Sequence, residues 1–548
     1  MSINIHLPES GLARRAAVRT LVVLMALCGG VAADGQSAGA PLPVNGAGLP
    51  NLGDGTDMTP GSERRLGDRI ARELYRDPDY VDDAVLMEYV QGVWQPLLVA
   101  ARQRGDLPAE IDSIYAWEIL LNRERTINAF ALPGAYLGLN LGLVGVVNSR
   151  DELASVLAHE LSHVTQRHIS RMMTRQSQQA PLLLAATILG ILAAGKSPEA
   201  AKSVIIGSQA YGAQSQLNFS RDMEREADRM GFGVSTQAGF APQGFVTMFA
   251  KLEQASRLND YGNFPYLRSH PLSTERMADM QNRIELPDVA LPSIPSKRKN
   301  AQEIDHAMMS ARARVLANPS VDALRAWTLE ISATAMSRLT PAQQDAALYG
   351  ACMAAMKSRD FAQAQSHWQR LSDGVRGDAA GARLARLLGV ELRLAQDDGA
   401  GALLLLQGDG KGHPAASRAE LFFATQAQLQ LAAKGPSPSA GSGVAANGGL
   451  AATSQDLQTW VAEHPRDAQA WQLLSSTYAA QERTLSSIRA LAEVYVAHFD
   501  YEAALRTFKS AQDWARKGGA GTDHFEASIV DTRAREVAST VREQALEK

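Results

Sequence analysis

Two histidines and a glutamate stand together in the segment HELSH at residues 159–163. On an α-helix, residues four apart lie on one face about one turn apart, so both imidazoles can bind a single Zn²⁺. Glu160 lies beside that face and can take a proton from a zinc-bound water, whose pKa the metal lowers to roughly 7. The spacing therefore predicts metal-assisted hydrolysis, with His159 and His163 as zinc ligands and Glu160 as the general base.

A catalytic zinc site commonly has three protein ligands and an open position for water. His168 follows the second histidine by five residues, and Gln166 stands where the metzincin pattern has a glycine, so that pattern is not met. We interpret His168 as either a surface histidine or one that supports a ligand. Glu224, in the segment EREAD, is predicted to complete a His₂Glu site. Asp228, one turn further, can hydrogen-bond the distal nitrogen of a ligand histidine, whereas Glu226 is expected to point toward solvent.

Two helices are needed to position these side chains. Ser149 and Glu152 form a capping box, which predicts one long amphipathic helix over residues 150–173. A second helix is predicted over residues 221–232 for the glutamate ligand. Together they would bring the HELSH and EREAD segments face to face.

A small sheet is expected to precede the first of these helices. Residues 114–121 alternate in polarity like a strand. Residues 126–132 and 135–141 follow, separated by a turn at Pro133-Gly134. Further upstream, residues 62–104 have a helical pattern that Pro78 interrupts.

Composition excludes several functional classes. The 548 residues are 45% apolar and 20% charged, which is typical of globular proteins, and the chain is too long for a single core. The net charge of −4 gives no basic surface for nucleic acid. Beyond the leader, Cys352 is the only cysteine, so neither an intrachain disulfide nor a cysteine-rich zinc site can form.

The amino-terminal residues predict export from the cytoplasm. Arg14, Arg15 and Arg19 precede an apolar run at residues 21–27, and small residues then lead to Ala33. This pattern fits a signal peptide cleaved after Ala33, because the run is too short to span a membrane. An uncleaved anchor is the alternative.

The domain organisation follows the changes in composition along the chain. We predict a signal peptide (1–33), a disordered lead-in (34–61), a gluzincin zinc metalloprotease domain (62–291), a linker (292–305) and a repeat domain (306–548) with a flexible insertion (434–453). Residues 181–194 are nearly all apolar but too few for a membrane span, which favours a buried helix. A lid over the site and a peripheral membrane contact remain alternatives for this segment.

The carboxy-terminal part has internal similarity. The segment DFAQA at residues 360–364 aligns with DYEAA at residues 500–504. Around both segments, small and large residues are placed as they are in a tetratricopeptide repeat. A generic helical bundle is the alternative. The predicted fold class is mainly α: an α+β peptidase domain with a small sheet packed on the HExxH helix, followed by an α-helical solenoid of such repeats.

The two metal-site segments, with NAFALPG at residues 128–134, resemble the zinc metallopeptidase family of HtpX and the CAAX prenyl endopeptidase. The leader and the repeats are similar to those of its periplasmic members, the beta-barrel assembly-enhancing proteases. In this family a strand beside the cleft binds extended substrates, which would assign substrate binding to Asn128, Ala129, Phe130 and Ala131. Ala135 stands where relatives often have a second glycine, so the turn before it is a departure from the pattern.

The resemblance also implies roles for His270 and Arg276, in the segment HPLSTER. His270 would stabilise the oxyanion of the tetrahedral intermediate with help from Arg276. Alternatively, His270 would bind zinc as a fourth ligand and hold the enzyme latent. A histidine that caps the following helix is the remaining alternative.

The resulting hypothesis is a periplasmic endopeptidase with one Zn²⁺ per chain and chaperone-like activity. By resemblance its substrates are misfolded or stalled outer-membrane beta-barrel proteins, and its repeats dock the assembly machinery; no nucleic acid partner is expected. One alternative is an assembly chaperone or adaptor with a latent peptidase site. Another is a membrane-embedded protease of the same family with residues 181–194 in lipid.

Overall fold

The computed structural model describes residues 58–175, 220–257, 265–285, 296–329, 331–407, 417–434, 443–518 and 523–546. The predicted signal peptide, most of the predicted lead-in and the apolar segment 181–194 lie outside these residues. Most described residues are helical, which confirms the mainly α prediction. Among the described helices, none combines the length and apolar character that crossing a membrane requires.

The first half of the described chain contains the four strands and the helices around them. In chain order the elements are α1 (Pro60–Tyr75), β1 (Tyr80–Val81), α2 (Ala84–Arg104), α3 (Ala109–Ile114), β2 (Glu118–Asn122), β3 (Ala129–Leu132), β4 (Tyr136–Asn140), α4 (Leu141–Val146), α5 (Arg150–Thr165), α6 (His168–Arg175), α7 (Arg221–Gln237), α8 (Gln243–Arg257), α9 (Tyr266–Ser269) and α10 (Thr274–Glu285).

Helices are the only regular elements among the described residues of the second half. It comprises α11 (Ser296–Ala317), α12 (Val321–Leu329), α13 (Ala333–Met336), α14 (Pro341–Lys357), α15 (Phe361–Gly374), α16 (Ala379–Ala395), α17 (Gly399–Gln407), α18 (Arg418–Lys434), α19 (Gly443–Glu463), α20 (Ala468–Ala480), α21 (Thr484–Ala497), α22 (Tyr501–Arg516) and α23 (His524–Leu546).

The sheet has the order β1-β2-β4-β3, with β2 parallel to β4 and the outer pairs antiparallel. Strand β3 pairs only with β4 among the described residues, so it forms an edge of the sheet. The prediction of a strand from residue 114 is wrong at its start, because α3 begins after Pro108 and continues to Ile114. Proline at a helix start and acidic residues in the first turn both favour that helix.

The predicted single helix over residues 150–173 is instead two helices. Helix α5 ends at Thr165, and Arg167 has a left-handed backbone conformation with φ of 51° before α6 starts at His168. After this turn His168 lies against His163 of α5, instead of continuing the helix. A residue other than glycine in this conformation gives no sequence signal of a break.

Helix α5 is buried along nearly its whole length, between the sheet and α7. Gly231 of α7 makes the close approach possible, since a Cβ atom there would be 3.0 Å from the backbone oxygen of Ala158 and the backbone nitrogen of His159. The turn before β4 is also tight. Gly134 and Ala135 both have positive φ, of 71° and 62°, so the glycine position that Ala135 replaces is left-handed here.

The second half is built of antiparallel helical hairpins. Arg359, Asp397, Glu482 and Phe499 each have a φ near 60° at the turn between two helices. Asp360 and Asp500, the first residues of the two aligned segments, accept hydrogen bonds from the backbone at the start of α15 and α22. The sequence alignment therefore corresponds to a repeated local structure.

The two segments predicted to be a linker and a flexible insertion are helical in part. The predicted linker at 292–305 becomes helix α11 directly after Pro295, and α11 packs against both α4 and α14. The predicted flexible insertion at 434–453 is helical from Gly443 onward, and Leu450 and Thr453 are buried. Packing of these small and apolar residues outweighs the low helix propensity of the glycines.

Buried ion pairs connect the two halves. Arg312 of α11 is only 2% exposed and donates to Asp83, the residue that caps α2, at 2.7 Å. It also donates to Glu391 of α16 at 2.6 Å. A charge this deeply buried requires such partners, so the contact between the halves is specific.

Candidate metal centre

Helix α5 places His159, Glu160 and His163 in the interior, all at most 2% exposed. The side chain of Ser149 caps the helix by accepting a hydrogen bond from the backbone of Glu152 at 3.1 Å. One helical turn separates the two imidazoles, and their Nε2 atoms are 3.0 Å apart. The HELSH segment thus has the geometry that its spacing predicted.

Helix α7 brings Glu224 to the same point from the opposite side. Its Oε2 atom is 3.5 Å from Nε2 of His159, and its Oε1 atom is 3.5 Å from Nε2 of His163. The carboxylate is 1% exposed. Burial alone would raise the pKa of Glu224, but His270 and His159 hold that pKa well below its usual range.

His270 lies at the centre as well. Its Nδ1 atom is 3.0 Å from Oε1 of Glu224 and 3.3 Å from Nε2 of His159. The ring of Tyr266 stacks on the ring of His270 with centroids 4.6 Å apart, which holds the orientation of the imidazole. Tyr266 was not singled out from the sequence, although its position one helical turn before His270 is a signal that could have found it.

These four residues fit a tetrahedral metal site. Bonds of 2.0–2.1 Å at tetrahedral angles put neighbouring ligand atoms about 3.3 Å apart. The separations given above run from 3.0 to 3.5 Å, and all four ligand atoms lie within 4.8 Å of one another. Imidazole and carboxylate donors in this arrangement suit a divalent ion such as zinc.

Glu160 faces the centre without being one of the four clustered donors. Its Oε2 atom accepts a hydrogen bond from the backbone of Ala131 in the edge strand, at 2.9 Å. Its Oε1 atom has no hydrogen-bond partner within the described ranges, and Nε2 of His270 is 3.4 Å away. Burial raises the pKa of Glu160 above that of an ordinary glutamate. A carboxyl group with a raised pKa is suited to accept and return a proton near neutral pH.

Asp228 and Arg276 form a buried support behind His159. Oδ1 of Asp228 is 2.9 Å from Nδ1 of His159, the ring nitrogen that faces away from the cluster. Arg276 donates to both carboxylate oxygens of Asp228, at 2.6 and 2.8 Å, and lies 2.9 Å from Glu224. The guanidinium holds the pKa of Asp228 below its usual range, against the effect of burial. Arg276 is thus engaged with these carboxylates, which differs from the predicted assistance at an oxyanion.

His168 is completely buried, so the interpretation as a surface histidine is wrong. Its Nδ1 atom is 2.9 Å from Nδ1 of His163. Its Nε2 atom is 3.1 Å from Oε2 of Glu226, which therefore does not point only toward solvent. Burial lowers the pKa of His168 to about 4, so the ring is neutral near pH 7.

The predicted substrate-binding residues lie in and beside β3. Asn128 accepts a backbone hydrogen bond from Asn140, and pairs along an antiparallel ladder alternate. The backbone groups of Ala129 and Ala131 therefore point away from β4, toward the side on which the N–H of Ala131 donates to Glu160. Phe130 lies over Gly138, where a Cβ atom would come within 2.1 Å of the ring.

Comparison with known proteins assigns this part of the chain to a family. The model of Peptidase family M48 matches residues 93–284, which include all of the clustered residues. The chain carries an M48 peptidase domain. This confirms the family resemblance and the predicted class of metallopeptidase, and M48 peptidases are metal-dependent.

The chain is also similar to individual proteins. The chain is 32% identical over 321 residues to the putative beta-barrel assembly-enhancing protease of Vibrio cholerae, covering 58% of this chain and 62% of the relative. It is 27% identical over 492 residues to the beta-barrel assembly-enhancing protease of Escherichia coli K12, covering 88% and 91%. It is 30% identical over 161 residues to the mitochondrial metalloendopeptidase OMA1 of Arabidopsis thaliana, covering 29% and 30%.

Proposed function

We propose that the M48 domain is a zinc endopeptidase in which His159, His163 and Glu224 hold one Zn²⁺. The observation that carries this proposal is the convergence of two imidazoles from α5 and one carboxylate from α7 at tetrahedral ligand distances. When bound, zinc would polarise the scissile carbonyl and acidify water. The raised pKa of Glu160 and its position beside the cluster support its role as the general base.

The side chains of the domain divide the work of hydrolysis. Glu160 takes the proton of the attacking water and returns it to the leaving amine. Asp228 orients His159 through the distal ring nitrogen, and Arg276 holds Asp228 in place. His270 either stabilises the oxyanion or occupies the fourth ligand position in a latent state, and its 3.0 Å distance from Glu224 supports the second role.

Substrate would bind to the edge strand β3 as an added strand. The outward backbone groups of Ala129 and the carbonyl group of Ala131, whose N–H already donates to Glu160, would offer main-chain hydrogen bonds that do not depend on the substrate's side chains. The hydrogen bond from Ala131 to Glu160 places this edge directly beside the proposed base. Such binding would let the enzyme accept varied sequences in extended form.

In the cell, we place this activity in quality control and assembly of outer-membrane beta-barrel proteins. Similarity to the Escherichia coli protein over 91% of its length, repeats included, supports this assignment. The proposal includes export by residues 1–33, a periplasmic location, a tetratricopeptide character of the repeats and docking of assembly machinery on their surface. It also includes chaperone-like activity toward misfolded or stalled clients.

Glu160→Gln tests the catalytic proposal. The variant should bind one zinc per chain as the parent does and lose cleavage of an unfolded beta-barrel client by at least about 100-fold, because general base catalysis is removed. Glu224→Gln should lose the zinc itself. Cleavage that persists in both variants would refute the assignment.

An adaptor with a latent peptidase is the second candidate, supported by the closeness of His270 to the cluster. It predicts that Glu160→Gln restores outer-membrane protein assembly in deletion cells as well as the parent chain does. Under the endopeptidase proposal the variant instead leaves stalled clients uncleaved, and assembly stays defective. A third hypothesis is a membrane-embedded protease. Release of the mature chain with the periplasmic fraction in the absence of detergent would exclude it.

A further inference from the structure

His168 has no part in the mechanism above, although it touches a proposed ligand. The Nε2 atom of His163 faces His159 and Glu224, and its Nδ1 atom faces Nδ1 of His168 at 2.9 Å. The far nitrogen of His168 faces Glu226 at 3.1 Å. A line of three side chains therefore runs from the cluster to the surface of α7.

The chemistry of this line allows only one arrangement of protons. A His163 ring that binds metal through Nε2 must carry its proton on Nδ1. The facing Nδ1 of His168 must then accept that proton's hydrogen bond, which leaves the proton of His168 on Nε2. That nitrogen needs an acceptor, and the Glu226 carboxylate supplies one. Each donor in the line thus meets an acceptor.

We propose that His168 is a positioning residue for the metal ligand His163, and that Glu226 fixes the tautomer of His168. The proposal rests on the proposed function, since it assumes that His163 binds the metal. The centre would then have two supports, one for each imidazole on α5. Asp228 supports His159, and the His168–Glu226 pair supports His163.

The two supports differ in chemistry and in exposure. Asp228 is a buried carboxylate that contacts its ligand directly and is 1% exposed. In the second support a neutral imidazole stands between the ligand and the carboxylate, and the Glu226 side chain is 37% exposed and paired with Arg171 at 3.0 Å. Solvent screens the charge of Glu226. Removing that charge should therefore weaken zinc binding less than removing the imidazole of His168 does.

Two substitutions of His168 separate hydrogen bonding from packing. His168→Asn keeps an acceptor near the position of Nδ1 but loses much of the ring. His168→Phe keeps the ring and loses both nitrogens. The proposal expects the zinc dissociation constant, measured on the full chain by competition with a chromophoric chelator, to rise about 10- to 100-fold in His168→Phe and less than tenfold in His168→Asn.

The surface end of the line provides a test that does not disturb the core. Glu226→Gln should weaken zinc binding several-fold, because a neutral acceptor holds the His168 tautomer less firmly. Asp222→Asn is the matched control: Asp222 lies on the same helix, is 86% exposed and pairs with Arg225. This control should leave zinc affinity unchanged.

Thermal unfolding of the metal-free variants reports on packing separately from metal binding. The proposal is overturned if His168→Phe binds zinc as tightly as the parent, or if His168→Asn is the weaker of the two. Equal zinc affinity of Glu226→Gln and Asp222→Asn overturns the role of Glu226, even if the core variants do not fold. Failure of the proposed function would be distinct, because the parent chain itself would then bind no stoichiometric zinc.

Discussion

Gly231→Ala should weaken zinc binding although it lies seven residues from the nearest proposed ligand on its helix. The new Cβ atom would be 3.0 Å from two backbone atoms of α5, and ordinary contact begins at 3.4 Å, so the helices must separate by about 0.4 Å. Glu224 lies on the same face of α7 and would move with the helix. Metal–ligand distances tolerate only about ±0.2 Å.

We therefore expect the zinc dissociation constant of Gly231→Ala to rise about tenfold, which corresponds to about 1.4 kcal/mol. Alanine also favours a helix interior over glycine by about 1 kcal/mol, which offsets part of the packing cost. The stability of the metal-free protein should for that reason change less than the metal affinity does. Chelator competition and thermal unfolding in the presence of chelator measure the two effects separately.

Gly233→Ala is the matched control on the same helix. The three atoms nearest to its Cβ atom would all belong to the guanidinium of Arg104, at 2.6–2.8 Å, and the flexible end of that side chain can move. This variant should be as stable as the parent or slightly more so, with unchanged zinc affinity. If Gly231→Ala binds zinc as tightly as Gly233→Ala, the close helix approach does not determine the geometry of the centre.

Three further outcomes follow from the structure. Arg312→Ala should lower the free energy of unfolding by about 3–5 kcal/mol in denaturant titrations, because two carboxylates lose their buried partner. Burial raises the pKa of the Asp305 carboxyl group from 3.8 to about 6, so this group keeps its proton to a higher pH in the folded state than in the unfolded state. The free energy of unfolding therefore falls as the pH rises from about 4 through 6. At 1.36 kcal/mol per unit, Asp305→Asn should gain up to about 3 kcal/mol relative to the parent between pH 4 and pH 7. Gly138→Ala should displace the ring of Phe130 and cost about 1–3 kcal/mol of stability, with slower cleavage of extended clients.

Each of these has a clear contrary result. If the free energy of unfolding of Arg312→Ala lies within about 1 kcal/mol of that of the parent, water replaces the arginine without an energetic cost. Parallel stability curves for Asp305→Asn and the parent from pH 4 to pH 7 would show that the Asp305 carboxyl titrates normally. Unchanged melting and cleavage in Gly138→Ala would show that the Phe130 ring moves freely.

The sequence predicted the centre better than it predicted its surroundings. The two helices could be found because capping residues and the spacing of His159, His163 and Glu224 are local properties of the chain. The approach of α5 to α7 depends on tertiary packing, which the sequence does not show. The sequence shows only that the two helices carry residue types that can bind one metal ion together. The position of Asp228 beside His159 could be predicted because it depends on the same helical spacing.

The failures have a common physical cause. Arg167 adopts a left-handed conformation that its residue type does not signal, and this turn decides where His168 lies. The segments that begin at Ser296 and Gly443 have linker-like composition, yet they are helical because neighbouring helices pack against them. In each case the surrounding structure overrides a weak local preference.

The salt bridges of Arg312 have a consequence for any attempt to study the M48 domain alone. A fragment cut before α11 would leave Asp83 at the start of α2 without its guanidinium partner, and the apolar surface around it would face water. The second half of the chain therefore supplies a buried charge partner that the peptidase half needs. A cut between the two halves should therefore destabilise the helix that leads into the peptidase half instead of releasing an independent peptidase.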